Sequence, residues 1–207
     1  MKLQIAFDLT DLDKALAIAK EVEPFCDIFE IGTVLIYQHG MEAIKKFKET
    51  FGTKTILADS KIIDRGSLTA ELFSDASVDW FTVMAGTSSE VIHAACSVAN
   101  NKKKKVMIDL LDSSSVGQSA MEAKNLGASA LLLHQPYEEQ DSFTFFDQWD
   151  MVKGNASVPV FVSAKITRET IDKVIGLQPD GIVIGTSIVQ AENPAQEAEF
   201  FYNLCCK

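Results

Sequence analysis

A chain of 207 residues with 47% hydrophobic content can bury a sizeable core, and this length suits an α/β barrel or open sheet folded as one domain, here expected over residues 1–207. The 29 Asp and Glu against 19 Lys and Arg give a net charge of −10, which excludes a general attraction for nucleic acid or anionic lipid, so any phosphate must be bound locally. Four cysteines without CxxC spacing, a first segment MKLQIAFDLT that enters a strand pattern without a signal peptide, and no apolar run near the ~20 residues of a bilayer span point to a reducing cytoplasm and away from a membrane.

Short β-branched runs alternate with amphipathic ones from the first residues onward. QIAFDL predicts a strand and LDKALAIAKEVE a helix, with Thr10 or Asp11 as its start; DIFEIGT and GMEAIKKFKETF follow, then KTILADSKI and SLTAELFSDAS. DWFTVMAG precedes SSEVIHAACSVANN, and KVMIDLL precedes SSVGQSAMEAKNLG, which Gly127 closes. ALLLHQ leads to a less regular SFTFFDQWDMVKG, PVFVSAKI to RETIDKVIGLQ, and GIVIGTSIV to PAQEAEFFYNLCC, opened by Pro194. Eight such pairs in this length predict a (β/α)8 TIM barrel, with a doubly wound open sheet as the alternative. The run Lys102–Lys105 reads as a solvated connection and the pair Cys205–Cys206 as an ordinary helix end.

A (β/α)8 barrel builds its active site at the carboxyl ends of its strands, and there this chain places Asp8, Glu30, Asp59, Lys61, Asp109 and His134. Charges converging on one dry cavity carry a desolvation cost unless they answer one another. Asp59 and Lys61, at i and i+2, are expected on one side of their strand and Ser60 on the other. A carboxylate keeps a partly buried lysine protonated, and such an ammonium stabilises a developing oxyanion. Asp64, past the strand end, offers a further carboxylate from a loop. Glu30 and Asp59, on neighbouring strands, supply two hard oxygen ligands for magnesium, completed by substrate and water. Among three histidines, His39 and His93 fall in or beside helices, whereas His134 ends a strand and is the best placed for proton transfer.

The set AFD, FEIGT, D-x-K-x-x-D at Asp59, Lys61 and Asp64, and HQPYEEQ after the sixth strand resembles the orotidine monophosphate decarboxylase suprafamily, on its 3-hexulose-6-phosphate synthase and 3-keto-L-gulonate-6-phosphate decarboxylase branch. The resemblance runs from Leu3 to the final helix. It implies Mg2+ held by Glu30 and Asp59, an enediolate stabilised by Lys61, and Asp8 orienting substrate and lysine. It also implies a homodimer in which Asp64 completes the partner's site. A phosphorylated ketose is the implied substrate. Asp109 in MIDLL and Tyr137 in HQPYEEQ lean toward the synthase, which condenses formaldehyde with ribulose 5-phosphate, with His134 or Asp109 taking the C1 proton; the decarboxylase is the alternative.

The pattern departs from the family at the phosphate grip. The family's glycine pair after the seventh strand is here Ala164 and Lys165, while Gly185 remains after the eighth, followed by Thr186. Backbone donors at Ala164 and Lys165 remain usable where φ stays negative, with the Lys165 ammonium adding charge. A barrel that binds a sugar phosphate without turning it over is the third reading.

Overall fold

The structure is a computed structural model that describes residues 1–138 and 143–205, with backbone alone at 143–146. Glu139, Gln140, Ser142 and Cys206, which belong to the motif and helices anticipated above, lie outside the described residues.

Eight parallel strands close in sequence order into a barrel: β1 (Lys2–Phe7), β2 (Ile28–Ile31), β3 (Thr55–Ile62), β4 (Trp80–Met84), β5 (Lys105–Asp109), β6 (Ala130–His134), β7 (Val160–Ser163) and β8 (Gly181–Ile184), with β8 pairing back onto β1 through Lys2 and Gly181. Closure rules out the open sheet. Around it run α1 (Leu12–Val22), α2 (Thr33–His39), α3 (Met41–Thr50), α4 (Gly66–Asp75), α5 (Ser89–Asn101), α6 (Val116–Glu122), α7 (Phe143–Asn155), α8 (Ile171–Gly176), α9 (Thr186–Val189) and α10 (Pro194–Cys205).

The alternation of strand side chains sorts the core into two layers. Inside the barrel, Ala6, Ile28, Leu57, Met107, Ala130, Leu132, Phe161 and Val183 form a closed apolar plug with Trp80 packed against it. The opposite faces join the helices in the larger outer core, where Phe7, Phe29, Phe47 and Phe51 meet edge to face or tilted at centroid separations of 4.9–6.3 Å. Such ring pairs contribute about 0.5–1.5 kcal/mol beyond their area burial.

Local chemistry sets some of the helix ends. Asp11 is the N-cap of α1 and accepts the Lys14 N–H at 3.0 Å, and Pro194 opens α10. Gly127 holds φ +94° in the turn after α6, a left-handed conformation that suits glycine. Four expectations are corrected. GIVIGTSIV is a strand only to Ile184, because Gly185 turns the chain and Thr186–Val189 coils as α9. The helices of SSVGQSAMEAKNLG and RETIDKVIGLQ shorten to α6 and α8. An unanticipated helix, α2, fills the span between β2 and α3. Lys102 and Lys103 are exposed as expected, although Lys102 also meets Asp75 at 2.5 Å. Among the described residues no helix is long and apolar enough to cross a membrane. Burial pushes the Cys26 and Cys96 thiols up to about 12, which leaves them little thiolate chemistry.

Candidate active site

Moving two residues along each strand from the apolar plug, toward the carboxyl end, reaches the polar ring. Ala6 leads to Asp8, Ile28 to Glu30, Leu57 to Asp59, Trp80 to Thr82, Met107 to Asp109 and Leu132 to His134. A period of two on six neighbouring strands therefore stacks charge directly on hydrocarbon. Glu30 and Asp59 are 5% exposed and Asp109 is fully covered.

Lys61 is the hub. Its Nζ donates to Asp59 Oδ2 at 3.0 Å and to Asp109 Oδ2 at 3.1 Å. The same Asp109 oxygen lies 2.9 Å from His134 Nδ1, and Asp109 Oδ1 accepts the Leu111 N–H at 3.0 Å. A carboxylate at Nδ1 draws the proton to that nitrogen, so proton exchange with a ligand falls to Nε2. Burial disfavours the charged ammonium of Lys61, but Asp59 and Asp109 outweigh it and raise the amine above its ordinary value. Burial likewise pushes Asp109 up, and His134, Lys61 and the Leu111 N–H together hold it below the usual carboxylate range.

The opposite wall is short of positive charge. Burial first, then Asp59 and Asp8, raise Glu30 well above the usual range, against one hydrogen bond of 2.5 Å from Gln4 Nε2 to Glu30 Oε2. Asp8 is reachable by water, yet partial desolvation and Asp59 raise its carboxyl, against the Val34 N–H and the Lys61 and His134 charges. A Cβ at Gly32 would lie 2.2 Å from Asp8 Oδ1, so only glycine admits this approach. Four carboxylates face a single ammonium, an imbalance that a divalent cation between Glu30 and Asp59 would offset. Among the described residues no three His, Cys, Asp or Glu side chains group as a complete ligand set. Two carboxylates with ligand and water oxygens are thus what this chain offers a metal.

Asp59 and Lys61 do face one cavity, but not through plain alternation. Between Ala58 and Ile62 the β3–β4 register slips, with Ala58 opposite Phe81 and Ile62 opposite Val83. Lys61 takes φ +44°, a left-handed conformation costing about 1–2 kcal/mol in a non-glycine residue. Sequence reading missed Gln4, Thr33 and Thr82. Thr33 Oγ1 lies 2.7 Å from Asp59 Oδ2 and 2.8 Å from the Asp59 carbonyl, and Thr82 Oγ1 donates to Asp59 Oδ1 at 2.9 Å. A lone threonine inside WFTVM and a lone glutamine inside LQIAF were the available signals.

The remaining residues lie apart from this cluster. Asp64 is exposed and its Oδ1 accepts the Arg65 N–H at 2.7 Å, so within one chain it does not join the ring. Lys165 is exposed with Nζ 5.7 Å from the Tyr137 ring centroid. Ala164 and Lys165 avoid positive φ. Their loop meets that of Gly185 and Thr186 through Ser187 Oγ, which donates to the Ile166 carbonyl at 2.6 Å. His93 is exposed, and His39 Nε2 lies 2.8 Å from the Thr10 carbonyl. A cleft of about 560 Å3 between α6 and α7 contains none of the charged ring.

A family model described as Orotidine 5'-phosphate decarboxylase / HUMPS family matches residues 1–201. A 3-hexulose-6-phosphate synthase of Bacillus subtilis (strain 168) is 31% identical over 200 residues, covering 96% of this chain and 95% of that protein. The crystal structure of 3-hexulose-6-phosphate synthase from Salmonella typhimurium superposes with a TM-score of 0.93 at 29% identity, over 100% of this chain and 99% of that one. KGPDC from Streptococcus mutans, at 23% identity and a TM-score of 0.89 over 99% and 97% of the two chains, shares the fold.

Proposed function

Since the chain belongs to the orotidine 5'-phosphate decarboxylase / HUMPS family, we propose that it is a 3-hexulose-6-phosphate synthase, a carbon–carbon lyase joining formaldehyde to ribulose 5-phosphate through an enediolate. The observation that carries the reading is the chain His134–Asp109–Lys61–Asp59, linked by contacts of 2.9–3.1 Å above the apolar plug.

In this reading His134 Nε2 takes the proton from C1 of the ketose phosphate. Asp109, fully covered and with both oxygens engaged, serves to fix the tautomer and orientation of His134 and is not itself the base. The Lys61 ammonium donates to the enediolate oxygen as negative charge develops there, in a cavity where its own charge is already held by two carboxylates. C1 then forms its bond to the formaldehyde carbon, and the proton carried by His134 passes to the formaldehyde oxygen, which balances the reaction. Asp8 orients the substrate. Glu30 and Asp59 would hold Mg2+, which when bound supplies Lewis acidity to the carbonyl and its enediolate.

The phosphate is assigned to the loops after β7 and β8, with backbone N–H groups near Ala164, Lys165, Gly185 and Thr186 and the exposed Lys165 ammonium as its counter-charge. A homodimer with shared sites is supported by the surroundings of Asp64. Ile63 is 65% exposed, and Val34 and Tyr37 on α2 with Leu68 and Leu72 on α4, the helices that follow β2 and β3, are exposed apolar side chains. Sedimentation should give a dimer, and Asp64→Ala should lose activity without losing the dimer.

The deciding assay offers purified protein formaldehyde with ribulose 5-phosphate and, separately, 3-keto-L-gulonate 6-phosphate, with and without Mg2+. Consumption of formaldehyde with a new hexulose 6-phosphate signal by NMR supports the proposal. Release of carbon dioxide from the keto-acid alone assigns the decarboxylase, and ligand-induced thermal stabilisation without any product assigns a binding protein.

A further inference from the structure

Thr82 stands opposite the one register shift found among the described strand pairs. Because β3 carries two extra residues between Ala58 and Ile62, Asp59, Ser60 and Lys61 all stand across from the single residue Thr82. All three bond to it. Thr82 Oγ1 donates to Asp59 Oδ1 at 2.9 Å and accepts the Lys61 N–H at 2.9 Å, while the Thr82 carbonyl accepts Ser60 Oγ at 2.7 Å. Thr82 is 1% exposed, so water cannot replace these bonds.

One hydroxyl therefore fixes two different things. As donor it holds one Asp59 oxygen, leaving Oδ2 for Lys61 Nζ and Thr33. As acceptor it satisfies the backbone N–H of a lysine at φ +44°, a conformation that persists only where its surroundings over-determine it. We propose that Thr82 is the positioning residue of the reaction: its hydroxyl locks the β3 bulge so that the Asp59 carboxylate and the Lys61 ammonium enter the cavity together. The inference rests on the reading that Asp59 and Lys61 act on the substrate, and it adds a residue that touches neither substrate nor metal.

The test separates hydroxyl from volume. Thr82→Val keeps the shape and removes both donor and acceptor; Thr82→Ser keeps the hydroxyl and loses a methyl group. With ribulose 5-phosphate and formaldehyde, Thr82→Val should lower kcat by roughly 100-fold, the scale on which misplaced groups cost rate, with KM for the sugar phosphate within about threefold because the phosphate grip lies across the mouth. Thr82→Ser should recover most of kcat. A role in packing alone reverses this order, with valine tolerated and serine impaired, and that result overturns the proposal. Should Thr82→Val fail to fold, Thr82→Cys retains volume with a weak donor and should show the same loss. Crystal structures of the wild type and the folded variant supply a readout independent of turnover. Lys61 leaving the left-handed region, with Nζ parting from Asp59 or Asp109, supports the proposal even where the wild type acts on neither sugar phosphate, whereas an unmoved Lys61 overturns it.

Discussion

The two sides of the barrel mouth are built from different materials. From β1 to β6 the rim is a ring of polar side chains, buried at Glu30, Asp59, Thr82 and Asp109, in which Asp59, Asp109 and Lys61 are held by several contacts each and the strain of one left-handed lysine is fixed by Thr82. Across β7 and β8 the rim is short strands ending in loops, where Lys165 and Thr186 meet solvent and the Ser187 hydroxyl bonds to the Ile166 carbonyl between the loops. Charge that must act on a reacting carbon is desolvated and fixed in advance, because preorganised electrostatics act most strongly where water is excluded. A phosphate needs no such treatment, since it arrives with its own charge and can be met by backbone N–H groups. In the proposed reading, the barrel separates chemistry from grip along its circumference.

The comparison breaks most decisively at Lys61. Lys61→Met should lower kcat by at least ~10³-fold, as expected for a lost oxyanion donor that no neighbour replaces, with little change in sugar-phosphate affinity by calorimetry; a mild effect would place Lys61 among structural ion pairs. Next is Asp109→Asn, which leaves His134 Nδ1 without its carboxylate and should cost about 100-fold in kcat, with the sugar-phosphate KM little changed. The grip should respond in the other parameter. Lys165→Ala should raise KM by roughly tenfold, one charge-assisted contact, with kcat held, and steady-state kinetics showing the reverse split would move Lys165 out of the phosphate site.

The smallest effect is one of stability, and it tests the charge imbalance of the buried side. Glu30 is raised above its ordinary 4.5 by burial, Asp59 and Asp8, so the folded state binds more protons than the unfolded state at pH values above 4.5. Its contribution favours folding at the acid end of that range and is lost as pH rises through the folded-state value. Asp109, held below its ordinary 3.8, works in the opposite sense and in a lower window, stabilising above 3.8 and losing that stability as pH falls through its folded value. In metal-free protein, calorimetry from pH 4.5 upward should therefore show a Tm drop on the order of 2–4 °C that Glu30→Gln reduces, with Asp8, also raised, retaining part of it. Added Mg2+ should flatten the wild-type slope, because a cation relieves the same repulsion.

The ring of charge was legible in outline because it obeys simple rules. Asp8, Glu30, Asp109 and His134 each stand at or near the end of an apolar run, and alternation places them two residues beyond the plug. Thr82 and Gln4 escaped notice because one polar residue inside an apolar strand has many ordinary explanations, and its partners lie 21–26 residues away in sequence. The β3 bulge was equally invisible. Register is a property of two strands, and TILADSKI reads as a regular strand until WFTVM is laid against it.

The sequence by itself determined the alternation of strands and helices, the acidic balance and the placement of charge at strand ends, because each follows from local periodicity and residue chemistry. Only the tertiary structure decided barrel closure, the covering of Asp109, the bonding of Lys61 to two carboxylates at once, the absence of Asp64 from its own chain's ring and the end of β8 at Ile184. Those depend on which distant segments share space, where desolvation and register set the energy of each charge, and no local window of residues contains that information.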